Sequence, residues 1–242
     1  MDYQEWLKEG VNFKNHEQFN EAVAAFTHAI ALDDKKPEAY FYRANVFNHS
    51  LKQYKRALED YSHAIALKKD DEFYFYNRAL CYLNLGNVPM ALADYDQALI
   101  INPDYALAIW DRALIKSDLE QFEDALMDLD RVLQLSPYSA AIVYKDKGNI
   151  YYKLEAYDEA LNCYNQSLAL DPYYIYAYKG RGGLYTALGQ YDLALVDYNK
   201  VLEIDPKDAD GYRKRMQLYQ KMGKLKEAQQ DKIAISHLRD KA

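Results

Sequence analysis

Side chains able to do chemistry are few in this sequence, and their spacing decides most cases. His28 and His63 stand 35 residues apart. Zinc needs three protein ligands for catalysis or four for structure, so this pair reads as two solvated histidines on an outer face. Cys81 and Cys163 form no CxxC. They read as small buried apolar groups that suit a reducing compartment. The run Lys179-Gly180-Arg181-Gly182-Gly183 contains a GxG. A dinucleotide loop follows a strand, whereas this run sits in a helical pattern. Gly180 and Gly183 each cost about 1 kcal/mol in a helix. They read as tolerated weakness or as a bare wall that a ligand backbone can approach. No GxSxG, HExxH or P-loop occurs. No catalytic residue, cofactor or metal is assigned.

The charged residues form a more regular series. Arg43, Arg78, Arg112, Lys147, Arg181 and Arg215 recur every 34 or 35 residues. Each arginine is followed 16 or 17 residues later by an aspartate: Asp60, Asp94, Asp128, Asp197 or Asp231. Lys147 is followed by Cys163, and Glu9 holds the corresponding place near the N-terminus. Joint occurrence points to contact. The expected pairs brace two helices; a charged recognition row is the alternative. An exposed pair of this kind contributes only about 0–1 kcal/mol.

These residues belong to a repeat. Alanine followed by an apolar residue recurs at Ala22, Ala57, Ala91, Ala125, Ala160 and Ala194, and Ala228 continues the series. A ring or leucine follows: Phe26, Tyr61, Tyr95, Leu129, Tyr164, Tyr198. Upstream stand small residues, Gly10, Ala44, Ala79, Ala113, Gly148 and Gly182. The spacings place each set on one face of a helix. Turn signals at Leu85-Gly86-Asn87 and Leu188-Gly189-Gln190 separate two helices per unit, and Pro103, Pro137, Pro172 and Pro206 close four units. A helical hairpin of this kind buries its apolar face only by stacking on a neighbour.

The pattern resembles the tetratricopeptide repeat family, in period and in the order of its signature positions. The resemblance implies an all-α, right-handed superhelical solenoid of helix-turn-helix repeats, with fourteen antiparallel helices, no strands, and a single domain over 1–242. The repeats are expected at 3–36, 37–71, 72–105, 106–139, 141–174, 175–208 and 209–242. One extra residue is expected in the turn near Ser50-Leu51-Lys52-Gln53, another at Ala140 between units. Asp2 and Glu5 read as a capping box. Gln229, Lys232 and Ser236 make the outer face of the last unit polar, as a C-terminal cap requires.

By the same resemblance, the first helix of each repeat lines a concave groove. Its fifth positions are Leu7, Phe41, Tyr76, Trp110, Lys145, Lys179 and Arg213; the second include Phe73, Leu107, Ile142 and Tyr176; the ninth include Asn149. An aromatic N-terminal half and a basic C-terminal half are expected. Unless acidic neighbours, of which Asp146 and Asp210 are the candidates, pair with it, the basic row predicts that reversing Lys145 and Lys179 to Glu slows association and removes much of its salt dependence without unfolding the chain. Lys145 and Asn149 match the first pair of a carboxylate clamp known in the family, but Gly180, Asp210 and Lys214 depart from the rest. The expected function is a protein–protein scaffold binding a peptide or helical segment with apolar anchors and acidic residues, and not an enzyme. An RNA or single-strand binder, or an accessory subunit of an enzyme complex, is the alternative. The net charge of -7 and pI near 5.3 disfavour nucleic acid. Without a leader or an apolar span, the expected location is cytoplasmic.

Overall fold

The computed structural model describes residues 1–239. Fourteen α-helices run in order with no strand among the described residues. They are α1 (Tyr3–Asn15), α2 (Phe19–Leu32), α3 (Pro37–Asn45), α4 (Tyr54–Leu67), α5 (Glu72–Asn84), α6 (Val88–Ile101) and α7 (Ala106–Asp118), then α8 (Phe122–Leu135), α9 (Ala140–Lys153), α10 (Tyr157–Leu170), α11 (Ile175–Ala187), α12 (Tyr191–Ile204), α13 (Ala209–Lys221) and α14 (Leu225–Arg239). The chain divides into two compact units, 1–115 and 116 onward, with the boundary inside α7. The last three residues of the expected seventh repeat lie outside the described residues. No described helix is long and apolar enough to cross a membrane.

In unit one, α1 packs on α2, α3 on α4 and α5 on α6, and each hairpin stacks on the next. In unit two the hairpins are α9–α10, α11–α12 and α13–α14, similarly stacked. The small residues make this close approach feasible. A Cβ added at Gly10 would lie 2.5 Å from Phe26, one at Gly148 2.7 Å from Tyr164, and one at Gly182 2.8 Å from Tyr198. The repeated alanines, Ala22 through Ala194, are fully buried. Interiors packed at crystal density leave no room for a larger residue there.

All seven hairpin turns share one geometry. A residue with positive φ sits at Glu17, Lys52, Gly86, Glu120, Glu155, Gly189 and Gly223. In six turns the next N–H bonds a carbonyl five residues back, as Asn87 to Tyr82 at 2.8 Å, the closure typical of a helix C-terminus. The exception is the second turn, where Gln53 bonds Phe47, six back, at 2.7 Å. The extra residue of that repeat therefore lies not in the turn but one step earlier, in a π-helical turn over Val46–Ser50. The turn has a fixed length, so the helix absorbs the insertion. Ala140 is likewise taken up as the first residue of α9.

The capping box forms at α1: the Glu5 N–H donates to Asp2 Oδ1 at 2.9 Å and the Asp2 N–H to Glu5 Oε2 at 2.7 Å. Gln229, Lys232 and Ser236 are exposed.

Candidate functional site

Four of the expected arginine–aspartate pairs lie within a single unit, and each forms as a two-pronged contact. Arg43 meets Asp60 at 2.7 and 2.8 Å, Arg78 meets Asp94 at 2.7 and 2.7 Å, Arg181 meets Asp197 at 2.9 and 2.7 Å, and Arg215 meets Asp231 at 3.0 and 2.6 Å. The fifth pair, Arg112 and Asp128, belongs to different units. Within those units Arg112 bonds Asp96 and Asp128 bonds Lys116. A second role was not visible in the pairing. Each remaining guanidinium nitrogen reaches the preceding repeat: Arg43 to Thr27, Arg78 to Ser62, Arg181 to Asn165, Arg215 to Asn199. Lys147, which lacks an aspartate in its own repeat, bonds Asp130 of the repeat before it. The signal was present as a polar acceptor two residues after the aspartate position. Rings flank the same guanidinium groups, Tyr178 and Tyr185 for Arg181, Tyr212 and Tyr219 for Arg215. The row is thus a brace between helices and between repeats. Asp60, Asp94, Asp197 and Asp231 are buried. Removing one partner of such a pair costs about 3–5 kcal/mol, well above the value for an exposed pair.

Other singled-out residues find packing roles. His28 stacks on Trp6 at 4.5 Å and His63 on Tyr40 at 5.3 Å, so neither is simply a solvated ring. Gly180 is not a bare wall: a Cβ there would lie 2.5 Å from the Tyr164 ring. Gly183 does have space, with Tyr198 Oη 4.0 Å away. Cys81 and Cys163 are buried free thiols, and burial pushes Cys81 up to about 11.

In unit one, the expected groove residues gather around α5 and α7. Phe73 and Leu107 are 50% and 52% exposed. Phe41 is half-buried against Tyr74 and Tyr61, and Trp110 is half-buried. Tyr105 stands between Phe73 and Tyr76, with ring centroids 5.5 and 5.0 Å away. One functional candidate was missed, Asp111. Tyr76 Oη donates to its Oδ2 at 2.9 Å and Tyr95 Oη approaches the same atom at 3.5 Å. In two other repeats the corresponding core tyrosine bonds the ninth-position asparagine, Tyr61 to Asn45 and Tyr164 to Asn149. Leu80 holds that position in repeat three, so Tyr95 turns to Asp111. Burial raises the Asp111 carboxyl above its ordinary value, against the pull of the two tyrosines.

In unit two, Ile142 and Tyr176 are 39% and 57% exposed. The basic row, however, is internally neutralised. Lys145 pairs with Asp146, Lys179 with Asp208 at 2.7 Å and Asp210 at 3.2 Å, and Arg213 with Asp210 at 2.9 Å. Burial pushes Asp208 up, but Lys179 and the N–H groups of Gly211 and Asp210 outweigh it and hold the carboxyl below its usual value. Asn149 is occupied by Tyr164, so the partial clamp of Lys145 and Asn149 is satisfied within the chain. At these three positions, therefore, no surplus positive charge is left to call for an acidic partner. Nor is Lys179 a solvent-facing groove residue: it is buried, and a carboxylate there would face Asp208 and Asp210. A concavity of about 670 Å³ lies instead in the last repeat, between α13 and α14, touching Arg213, Met216 and Ile235.

Family models agree with this architecture. Tetratricopeptide repeat models match residues 7–72, 73–105 and 104–172, and a TPR repeat model matches 182–223. A search of curated proteins gives no match. Among solved structures, a tetratricopeptide repeat protein from Parabacteroides merdae aligns over 98% of this chain and 96% of its own, with TM-score 0.81 and 23% identity. YrrB, described as a TPR protein with an unusual peptide-binding site, aligns over 73% of this chain and 90% of its own, with TM-score 0.64 and 19% identity. At these identities the structures speak for the fold alone. The repeat period, the paired helices and four family matches lead to one assignment: the chain belongs to the tetratricopeptide repeat family.

Proposed function

We propose that this chain is a protein–protein interaction scaffold that holds a peptide or helical segment of a partner on the first-helix faces of its repeats. Repeats of this family generally act as non-enzymatic scaffolds. One observation carries the reading. The second position of four successive repeats holds a large apolar residue that the fold leaves open: Phe73 and Leu107 in unit one, Ile142 and Tyr176 in unit two. A single exposed apolar side chain needs no explanation; these four share one register of the first helices, the faces expected to line the groove. Aromatic and aliphatic anchors of this kind are where binding energy concentrates. The peptide-binding site in the description of YrrB is a supporting precedent.

The test is selection of random 12-residue displayed peptides on the full chain, with affinities remeasured on a Phe73→Ala/Leu107→Ala variant and an Ile142→Ser/Tyr176→Ala variant. At least one variant should lose roughly tenfold or more in affinity with an unchanged melting temperature. Peptides that bind both variants like the parent would overturn the reading.

A further inference from the structure

Asp111 is a carboxylate that the fold leaves half-used. Both tyrosine hydroxyls address Oδ2. Among the described residues Asp111 forms no ion pair, and Oδ1 accepts no hydrogen bond from the protein. Asp111 as a whole is partly exposed. Its setting is aromatic: Tyr76 lies 5.0 Å from Tyr105 and 5.8 Å from Tyr95. A second carboxylate adds to the local negative charge. Burial, then Glu72, then Asp111 push the Tyr105 hydroxyl up to about 12. Glu72 accepts from Asn102 at 3.0 Å and, among the described residues, has no cation either. Residues 1–115 as a whole hold 17 Asp+Glu against 12 Lys+Arg.

The chain itself shows what completes such a site. Three times over, an aspartate is met by an arginine held between two aromatic rings, at Arg78, Arg181 and Arg215, as Arg181 between Tyr178 and Tyr185 against Asp197. At Asp111 the carboxylate and the rings are present and the guanidinium is not. We infer that the Tyr76–Tyr105–Asp111 cluster receives an arginine side chain of the partner segment, next to the apolar anchor sites at Phe73 and Leu107. A planar cation suits the position because it bonds a carboxylate through its edge and stacks on a ring through its face. An ammonium ion is more strongly hydrated and offers no plane to stack. The inference rests on the groove reading above and names the chemistry of the partner at one point of it.

The test uses the same displayed library, selected in parallel on the full-length parent and on the full-length Asp111→Asn variant. Asparagine keeps an acceptor for Tyr76 and the volume of the side chain, so the variant stays folded. Peptides from the parent should be enriched in arginine at one position relative to those from the variant. In a parent-selected peptide, replacing that arginine by glutamine should weaken binding to the parent about tenfold and to Asp111→Asn less than twofold, since charge-assisted bonds lose most when one charge goes. Equal losses on both proteins, or enrichment of lysine or of acidic residues, would overturn the arginine assignment. Binding that still falls with Phe73→Ala/Leu107→Ala in that event leaves the groove reading standing. A library that yields no binder at all counts against both.

Discussion

Repeats four and five carry the same residue at the sixth position of their first helices, and the fold treats the two differently. Asp111, in unit one, stands after Trp110, is addressed by two tyrosine hydroxyls and has no ion pair among the described residues. Asp146, in unit two, stands after Lys145 and pairs with it. The same contrast runs through the fifth position. Unit one places rings there, Phe41, Tyr76 and Trp110; unit two places Lys145, Lys179 and Arg213. Each of those cations stands against a carboxylate. A row of like charges read along one helix face says little until the acids on neighbouring faces are placed. At the fifth and sixth positions of repeats four and five, the charge without an ion pair among the described residues is the negative one at Asp111.

The sharpest way to break this comparison is Lys179→Glu. If Lys179 were a free groove cation, stability would not change. The side chain is buried between Asp208 and Asp210, so reversal leaves three carboxylates together. Loss of a buried ion pair costs about 3–5 kcal/mol. Urea unfolding should therefore show a fall of about 3 kcal/mol or more at pH 7. Its stabilising partner is acid-sensitive in a definite direction. Asp208 is held below its usual value, so its contribution is present above about pH 4 and fades as pH falls through its depressed value. An unchanged midpoint for Lys179→Glu would restore the groove-cation reading.

A smaller effect separates the two extra glycines of α11. Gly180→Ala drives a methyl into the Tyr164 ring, which is 2% exposed and already wedged against Gly148. Overpacking of this kind costs about 1–3 kcal/mol. Gly183→Ala meets only Tyr198 Oη at 4.0 Å and should gain up to about 1 kcal/mol in helix propensity. Thermal melts of the two variants should move in opposite directions. A gain from Gly180→Ala would return that residue to the bare-wall reading.

The repeat and its hairpins were legible because their cause is periodic. Small residues such as Gly10 and Gly148 must face rings such as Phe26 and Tyr164, and a fixed spacing records that demand. The arginine–aspartate braces were legible for the same reason. Three things were not. The place of the insertion in repeat two depends on whether turn or helix yields more cheaply, and Ser50-Leu51-Lys52-Gln53 looks no less able to absorb a residue than Val46–Ser50. The state of the groove charges depends on contacts outside the period. Asp208 caps the first helix of the next repeat, 29 residues after Lys179, and no spacing rule linked them. Asp111 escaped notice because its importance comes from Leu80, an apolar residue where repeats two and five have asparagine.

The smallest predicted effect tests whether Asp111 is kept for something other than folding. Its carboxyl is raised by burial, so folding carries a charge into surroundings that disfavour it. Between the unfolded value near 3.9 and the raised folded value, the native state binds more protons than the unfolded one, and stability falls as pH rises through that window. Above the window the loss is complete and constant. Asn at this position removes the charge and keeps an acceptor for Tyr76. Asp111→Asn should therefore be more stable than the parent at pH 7, with the gain shrinking as pH falls through the window and the parent carboxyl becomes neutral. Urea denaturation at pH 7 and pH 4 measures both values. A residue whose removal stabilises the fold is one that folding does not require. If Asp111→Asn instead destabilises the chain equally at both pH values, Asp111 is an ordinary structural acceptor for Tyr76 and Tyr95, and its contrast with Asp146 carries no functional meaning.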